Sequence, residues 1–245
     1  MLCAYIDAEH TFSSEFAKMV GVDLDMLAII QETTAEDAID AIKELLVSKI
    51  VNLITLDSVA SLSPKEERDK SSGELSMALL ARLLSRKMKD LVALANQNKC
   101  SLLFLNQLRD SLSYTGGKVA PGGNALTFYS SVNVRTRKKL DITKQGEVVG
   151  VVTQLDNKKN KVSTPFSSAE IDILFPHKNE EGKMIAGIDI MNDIIDAAIN
   201  KGVITKSGSW LEYQDSGKLQ GKHKMGDYFK ENPNMFKLLN EEMRR

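Results

Sequence analysis

A chain of 245 residues can bury a full hydrophobic core, and its length suggests one large domain or a large domain with a small one. The composition and the net charge of −1 are those of an ordinary soluble globular protein rather than a generally sticky one, and no apolar run is long enough to span a bilayer. Cys3 and Cys100 are the only cysteines and have no paired spacing, which argues against a disulfide or metal framework and for a reducing cytoplasm; no signal segment is expected ahead of the first strand.

The charge is unevenly placed. Residues 1–47 carry ten acids, from Asp7 to Glu44, against Lys18 and Lys43, whereas residues 107–161 carry ten bases against four acids. A basic middle in a neutral chain suits a local phosphate-facing surface.

Taken in order, Leu2 to His10 reads as a strand that begins almost at the first residue and ends in two carboxylates, Asp7 and Glu9. Helix signals run from Ser13 to Val20 and stop at Gly21. Thr34, with Glu36 and Asp37 after it, predicts a capped helix whose apolar face is Ala38, Ile42, Leu45 and Leu46. That helix leads into Val51 to Asp57, an apolar run without period-2 alternation, which reads as a buried central strand. Strand, helix, strand predicts a parallel sheet with a right-handed crossover. Ser63 to Gly73 reads as a polar loop, and Leu80, Leu84, Met88, Leu91 and Ala95 stripe a long amphipathic helix that ends at Asn96 to Lys99. Ser101 to Leu105 is expected to be another buried strand, ending in Asn106 and Gln107. Leu108 to Gly123 reads as a second loop, Val132 to Lys139 and Glu147 to Val162 as strands. From about Ile185 the texture changes to short helices and a hairpin around Trp210, with Ile190, Ile194, Ile195 and Ala198 as a helical stripe closed by Gly202.

Three successive strands thus end in polar groups: Asp7 with Glu9, Asp57 with Ser58, and Asn106 with Gln107. The carboxyl edge of an open α/β sheet is where ligands bind. Glu9 is suited to polarise an attacking water, Asp57 to serve Mg²⁺ through water with Ser58 ordering the shell, and Gln107 to sense a terminal phosphate. Asp57 also reads as a turn-forming strand cap, and Gln107 as a satisfied strand-end amide.

The runs Ile6-Asp7-Ala8-Glu9-His10, Leu56-Asp57-Ser58-Val59-Ala60, Ala81-Arg82, Phe104-Leu105-Asn106-Gln107-Leu108-Arg109, Gly122-Gly123-Asn124-Ala125-Leu126 and Lys159-Asn160-Lys161 together resemble the bacterial RecA recombinase family in order and spacing. The resemblance continues through Gly208-Ser209-Trp210 and the Lys230 to Pro233 region. It implies an α/β fold: a RecA-like ATPase core with a mostly parallel sheet flanked by helices, residues 1–181, and a small C-terminal α+β domain, residues 182–245. It implies a cytoplasmic protein of DNA recombination, repair and the SOS response, using ATP and Mg²⁺, with single-stranded and double-stranded DNA and further copies of itself in a filament as partners. Glu9 becomes the catalytic carboxylate with Gln107, Asp57 the magnesium-side acid, and Phe16 an aromatic that stacks on adenine, although a core aromatic on a short helix is the other reading. The loop from about Ser63 to Met77, with Arg82 behind it, would be a first DNA-binding loop. Leu108 to Gly123 would be the second, with Arg109 on a phosphate and Gly122, Gly123 and Asn124 opening a helix toward phosphate. Lys159 and Lys161 share a strand face and would reach ATP on a neighbouring subunit; otherwise they are a solvated basic edge. Lys218, Lys222, His223 and Lys224 resemble a duplex-DNA gateway or a solvated charge run.

The pattern also fails in places. No Gly-x-x-x-x-Gly-Lys-Ser/Thr occurs, and Gly116-Gly117-Lys118-Val119 lacks both the spacing and the hydroxyl. In the family that phosphate loop precedes the strand that opens this chain, so hydrolysis is expected to need a complementing N-terminal segment. Ser13 and Thr127 stand where an acid and a lysine are usual. The alternative is a non-hydrolysing single-stranded-DNA-binding or filament-modulating protein. A replicative helicase or repair accessory ATPase fits less well with Lys159, Lys161 and the Trp210 region.

Overall fold

The computed structural model describes residues 1–67, 73–110, 117–179 and 182–243. The elements in chain order begin with β1 (Cys3–Asp7), α1 (Ser14–Met19), β2 (Leu27–Ile30), α2 (Ala35–Ser48), β3 (Leu53–Asp57), α3 (Gly73–Asn98) and β4 (Ser101–Phe104). There follow β5 (Arg109–Asp110), β6 (Lys118–Val119), α4 (Ala125–Tyr129), β7 (Val132–Lys144), β8 (Glu147–Asn160), β9 (Ser168–Lys178) and β10 (Met184–Ile188). The chain closes with α5 (Ile190–Asn200), β11 (Thr205–Ser207), β12 (Trp210–Glu212), β13 (Leu219–Gln220), α6 (Gly221–Glu231) and α7 (Pro233–Met243).

The chain falls into two compact units, Met1–Asn133 with Lys159–Ser163, and Val134–Lys158 with Thr164–Arg245. In the first, four parallel strands stand in the order β2-β1-β3-β4. Ala4 and Ile6 of β1 and Ile54 and Leu56 of β3 enter the core. They meet Ala38, Ile39, Ile42 and Leu46 of α2 and the stripe Leu80, Leu84, Met88, Leu91 and Ala95 of α3. At ~25 cal/mol per Å² of apolar surface, these fully covered aliphatic side chains supply most of the drive for folding the unit. Thr34 begins α2 as its pattern predicts, with Oγ1 accepting the Asp37 N–H at 3.2 Å.

Three expectations change here. The path from β1 to β3 includes an extra edge strand, β2, so α2 crosses from β2 over β1 to β3. Leu27 to Ile30 is only four residues long, and such a run pairs as a strand because β1 offers it an open edge. Second, β4 is half-exposed rather than buried. Its pleat turns Leu102 and Phe104 toward the core but leaves Leu103 47% exposed on the other face. Third, α3 starts at Gly73, so the segment expected as a loop as far as Met77 is helical from there onward; the Met77 side chain lies outside the described residues.

The second unit contains the sheet β10-β9-β8-β7, in which β8 and β9 pair antiparallel from Gly150–Leu174 to Asp156–Ser168. β7 runs on to Lys144, beyond the expected Lys139, because Gln145 and Gly146, with φ of 53° and 88°, make the two-residue left-handed turn that joins twisted strands. A separate core gathers Ile195 and Ala198 of α5, Ile204, Leu211, Tyr213, Met225, Phe229 and Leu239. Tyr213, Tyr228 and Phe236 each pack a ring against Phe229 at centroid distances of 5.5–5.7 Å. Of the expected α5 stripe, Ile190 is 62% exposed: it is the first helical residue, a turn ahead of the packed face.

Candidate functional site

The parallel register sets the site. β1 and β3 run side by side with Asp7 opposite Asp57, so their carboxyl ends share one edge with that of β4. Three donors meet on one oxygen beyond that edge. Ser58 Oγ donates to Glu9 Oε1 at 2.6 Å, Ser61 Oγ at 3.0 Å and Gln107 Nε2 at 3.0 Å. These residues are 49, 52 and 98 positions from Glu9, so the cluster is made by the sheet and not by local sequence. Glu9 titrates below the ordinary carboxylate range because the Ser58 hydroxyl, then that of Ser61, stabilise its charge, while burial and the Asp7 charge oppose them and Gln107 adds a smaller share. At neutral pH it is an ionised acceptor, which is what orienting a water requires.

Asp7 has a different task. It is buried, and its oxygens accept the backbone N–H groups of Thr11 at 3.2 Å and Phe12 at 3.0 Å, with Gln31 Nε2 at 3.4 Å. Burial would raise its pKa, but the Phe12 and Thr11 donors outweigh it and hold the carboxyl low. Asp7 thereby ties down the turn that carries Glu9. Asp57 accepts a short hydrogen bond from the Tyr5 hydroxyl, whose own pKa is pushed upward by burial and then by Asp57. Tyr5 and Phe12 pack ring to ring at 5.3 Å. The Asp57–Ser58 peptide is cis.

Tyr5, Ser61 and the anchoring role of Asp7 are not in the sequence-based expectation. A signal existed for Ser61: Ser58 and Ser61 are three apart, and a 3-10 turn spans Val59–Ser61. For Tyr5 the signal was its parity with Asp7 on β1, which places both on one face.

The other expected residues lie as follows. Phe16 is 44% exposed on α1, which excludes a core role. Arg82 is exposed on α3; Arg109 is exposed too, with its guanidinium on the Ala60 carbonyl at 3.3 Å. Asn106 Nδ2 holds the Pro121 carbonyl at 2.9 Å, anchoring the segment that reaches Gly122 and Gly123. Gly122 has φ of 83°, and a Cβ there would stand 2.5 Å from Leu84 Cδ1, so the chain crosses α3 where only glycine fits. Asn124 begins α4, a helix of five residues, without a side-chain cap. Residues 68–72 and 111–116 of the two expected DNA loops lie outside the described residues. Lys159 Nζ is bonded to the Thr127 and Phe128 carbonyls at 2.5 and 2.9 Å, a cation at the end of α4. Lys161 follows the last residue of β8, with its N–H on the Ser131 carbonyl at 2.8 Å, and after burial its charge is the next cause that lowers the pKa of Lys159. On the surface of α6 Lys222 pairs with Asp196 at 2.7 Å, and His223 Nδ1 stands 2.9 Å from Asp227.

Comparison with known proteins bears on this arrangement. The family model for the RecA N-terminal domain matches residues 1–179, and that for the RecA C-terminal domain matches residues 192–245. The chain belongs to the RecA family. It is 36% identical over 245 residues to Protein RecA of Paracoccus denitrificans, covering 99% of this chain and 66% of that one. Against Protein RecA of Ruegeria pomeroyi it is 36% identical over 245 residues, with 99% and 68% covered. Against that of Clostridium novyi it is 37% identical over 235 residues, with 95% and 64% covered. The chain spans about two thirds of the length of these curated RecA relatives. Among the described residues no helix is long and apolar enough to cross a membrane, and no group of three or more His, Cys, Asp or Glu could hold a metal ion by itself.

Proposed function

We propose that this chain serves DNA recombination and repair as a RecA-type protein, with the edge at Glu9, Asp57 and Gln107 as the hydrolytic part of an ATP site. The observation that carries the reading is the meeting of Glu9, Ser58 and Gln107, from three strand ends, on one carboxylate oxygen. Glu9 orients water, and Gln107, bonded to it, links the state of the site to the segment beginning at Leu108. One carboxylate, Asp57, is a hard oxygen donor that suits Mg²⁺ held mainly by water and phosphate, with Ser58 ordering the surrounding shell rather than binding the ion. Bound there, the ion would neutralise charge on the transferred phosphoryl group. Phe16, Lys159 and Lys161 are assigned to nucleotide, and Met77, Arg82, Arg109, Gly122, Gly123 and Asn124 to single-stranded DNA, with homologous pairing and strand exchange in a cytoplasmic filament. Residues 1–181 form the ATPase core in this reading and 182–245 the small domain that meets duplex DNA.

No phosphate-loop motif occurs in the 245 residues, so hydrolysis requires that loop from a complementing segment. The test is to co-fold the chain with a segment bearing a strand and phosphate loop and to measure ATP hydrolysis with single-stranded DNA. DNA-stimulated turnover is expected, and Glu9→Gln should lower it on the order of 10²–10⁴-fold, the usual contribution of such a carboxylate. Turnover indifferent to Glu9→Gln would refute the assignment. The same absent motif favours a second reading, a DNA-binding member without hydrolysis. It predicts salt-sensitive single-strand binding without ATP, weakened by Arg82→Ala and Arg109→Ala; nucleotide-independent binding that ignores both changes removes it.

A further inference from the structure

The turn after β3 carries a hydroxyl for which the reading above has no use. In a 3-10 turn, side chains three residues apart lie one above the other. Ser58, itself buried, precedes the turn and makes no capping hydrogen bond, so its hydroxyl is free to turn with that of Ser61 toward Glu9. The two Oγ atoms are 3.2 Å apart and converge on the same atom, Glu9 Oε1. Each hydroxyl has one proton, and an ionised carboxylate is the stronger acceptor, so both protons go to Oε1. With the Gln107 amide this oxygen has three donors, while among the described residues none reaches Oε2.

We propose that Ser61 is a positioning residue for Glu9: stacked on Ser58, its hydroxyl locks the carboxylate by Oε1 and leaves Oε2 as the oxygen that takes a water. The role rests on the reading of Glu9 as the water-orienting base. A carboxylate held by one donor rotates about its last torsion, because that torsion is broad. Three donors, two from the turn after β3 and one from the segment beyond β4, stop that rotation. The charged and titratable neighbours are Asp7 and Tyr5 of β1, His10 in the following turn, Asp57 of β3 and Arg109 on the Ala60 carbonyl. Of these the Asp7 charge opposes ionisation of Glu9, so the hydroxyls keep Glu9 ionised against it.

The test is a titration of the full chain labelled with ¹³C at the glutamate carboxyl, with the Glu9 signal identified by its loss in Glu9→Gln. In Ser61→Ala the Glu9 midpoint should move upward while the other glutamates stay in place, and Ser61→Thr should restore it. An unmoved midpoint in Ser61→Ala, or equal displacement by both variants, overturns the proposal. The titration needs no nucleotide, so it stands apart from the hydrolytic reading, which fails separately if Glu9→Gln leaves the complemented turnover intact. Where turnover is present, the acid limb of its pH profile should move to higher pH in Ser61→Ala; a limb that stays while the titration midpoint moves also overturns the positioning role.

Discussion

Two acidic clusters in this protein respond to their surroundings in opposite directions. At the edge of the parallel sheet Asp7 and Glu9 titrate below the usual carboxylate range. In the second unit Asp172 of β9 and Asp193 of α5 titrate above it. Burial pushes all four carboxyls upward; what differs is the donors. Asp7 has two backbone N–H groups and Glu9 two hydroxyls and an amide. Asp193 has one, the Asp172 N–H at 3.3 Å, and around it stand Asp172, Asp189 and Asp196, with Lys222 directed at Asp196. A carboxylate surrounded by donors is kept ionised, whereas one set among other acids is driven toward the neutral form.

The comparison is broken most severely at Asp7. Asp7→Asn retains one acceptor oxygen but replaces the other by a donor facing an N–H group. The loss of charge-assisted hydrogen bonds at a buried site is expected to cost ~1.5–3 kcal/mol, read as a fall in the denaturation midpoint. Because Asp7 secures the turn that carries Glu9, the Glu9 carboxyl signal should broaden or shift as well. A variant with unchanged stability would show that the Thr11 and Phe12 donors are satisfied by water instead.

This part of the molecule marks how far the sequence could be read. Glu9, Asp57 and Gln107 were legible because apolar runs ending in polar residues at one sheet edge need no side-chain geometry to be noticed. The apolar stripe of α3 and the Thr34 cap were legible from spacing alone. Tyr5 was not, since its hydroxyl meets Asp57 only through the offset between β1 and β3, where Tyr5 stands opposite Thr55. Ser61 depended on a 3-10 turn, and β2 on a neighbouring open edge, both of which are tertiary facts. The basic run at Lys218 to Lys224 shows its charge in the sequence but not the acids it meets, because Asp196 lies on a different helix from Lys222 and Asp227 a turn beyond His223.

Acid sharpens the contrast. A carboxyl whose folded pKa lies below its unfolded value, roughly 3.9 for Asp, stabilises the fold above that value and ceases to do so as pH falls through the folded pKa. The edge at Asp7 and Glu9 should therefore weaken on acidification. A carboxyl with a raised folded pKa imposes its disadvantage at pH above that pKa, and the disadvantage is relieved as pH falls through it. The β9–α5 contact should therefore tighten. Hydrogen exchange followed residue by residue on descending pH should show protection falling around Thr11 and Phe12 while it holds or rises around Asp172 and Asp193. Parallel loss at both places would mean that the two clusters do not differ as described.

The smallest effect is expected at Asp193. Asp193→Asn keeps an oxygen for the Asp172 N–H but removes one negative charge from a group of four aspartates. Most changes at a hydrogen-bonded carboxylate destabilise, as Asp7→Asn should. Here the charge is opposed by Asp172, Asp189 and Asp196, so its removal should raise stability at neutral pH by under about 1 kcal/mol, the size usual for partly solvated charge pairs. The gain should vanish once the pH is low enough to protonate the wild-type side chain, because both proteins then present a neutral group to the same neighbours. A denaturation midpoint measured at neutral and at acid pH separates this from a packing effect, which would persist at both. A loss of stability at neutral pH would instead mean that the Asp172 N–H needs a charged acceptor, and the clusters at the two ends of the comparison would then be held by the same kind of bond.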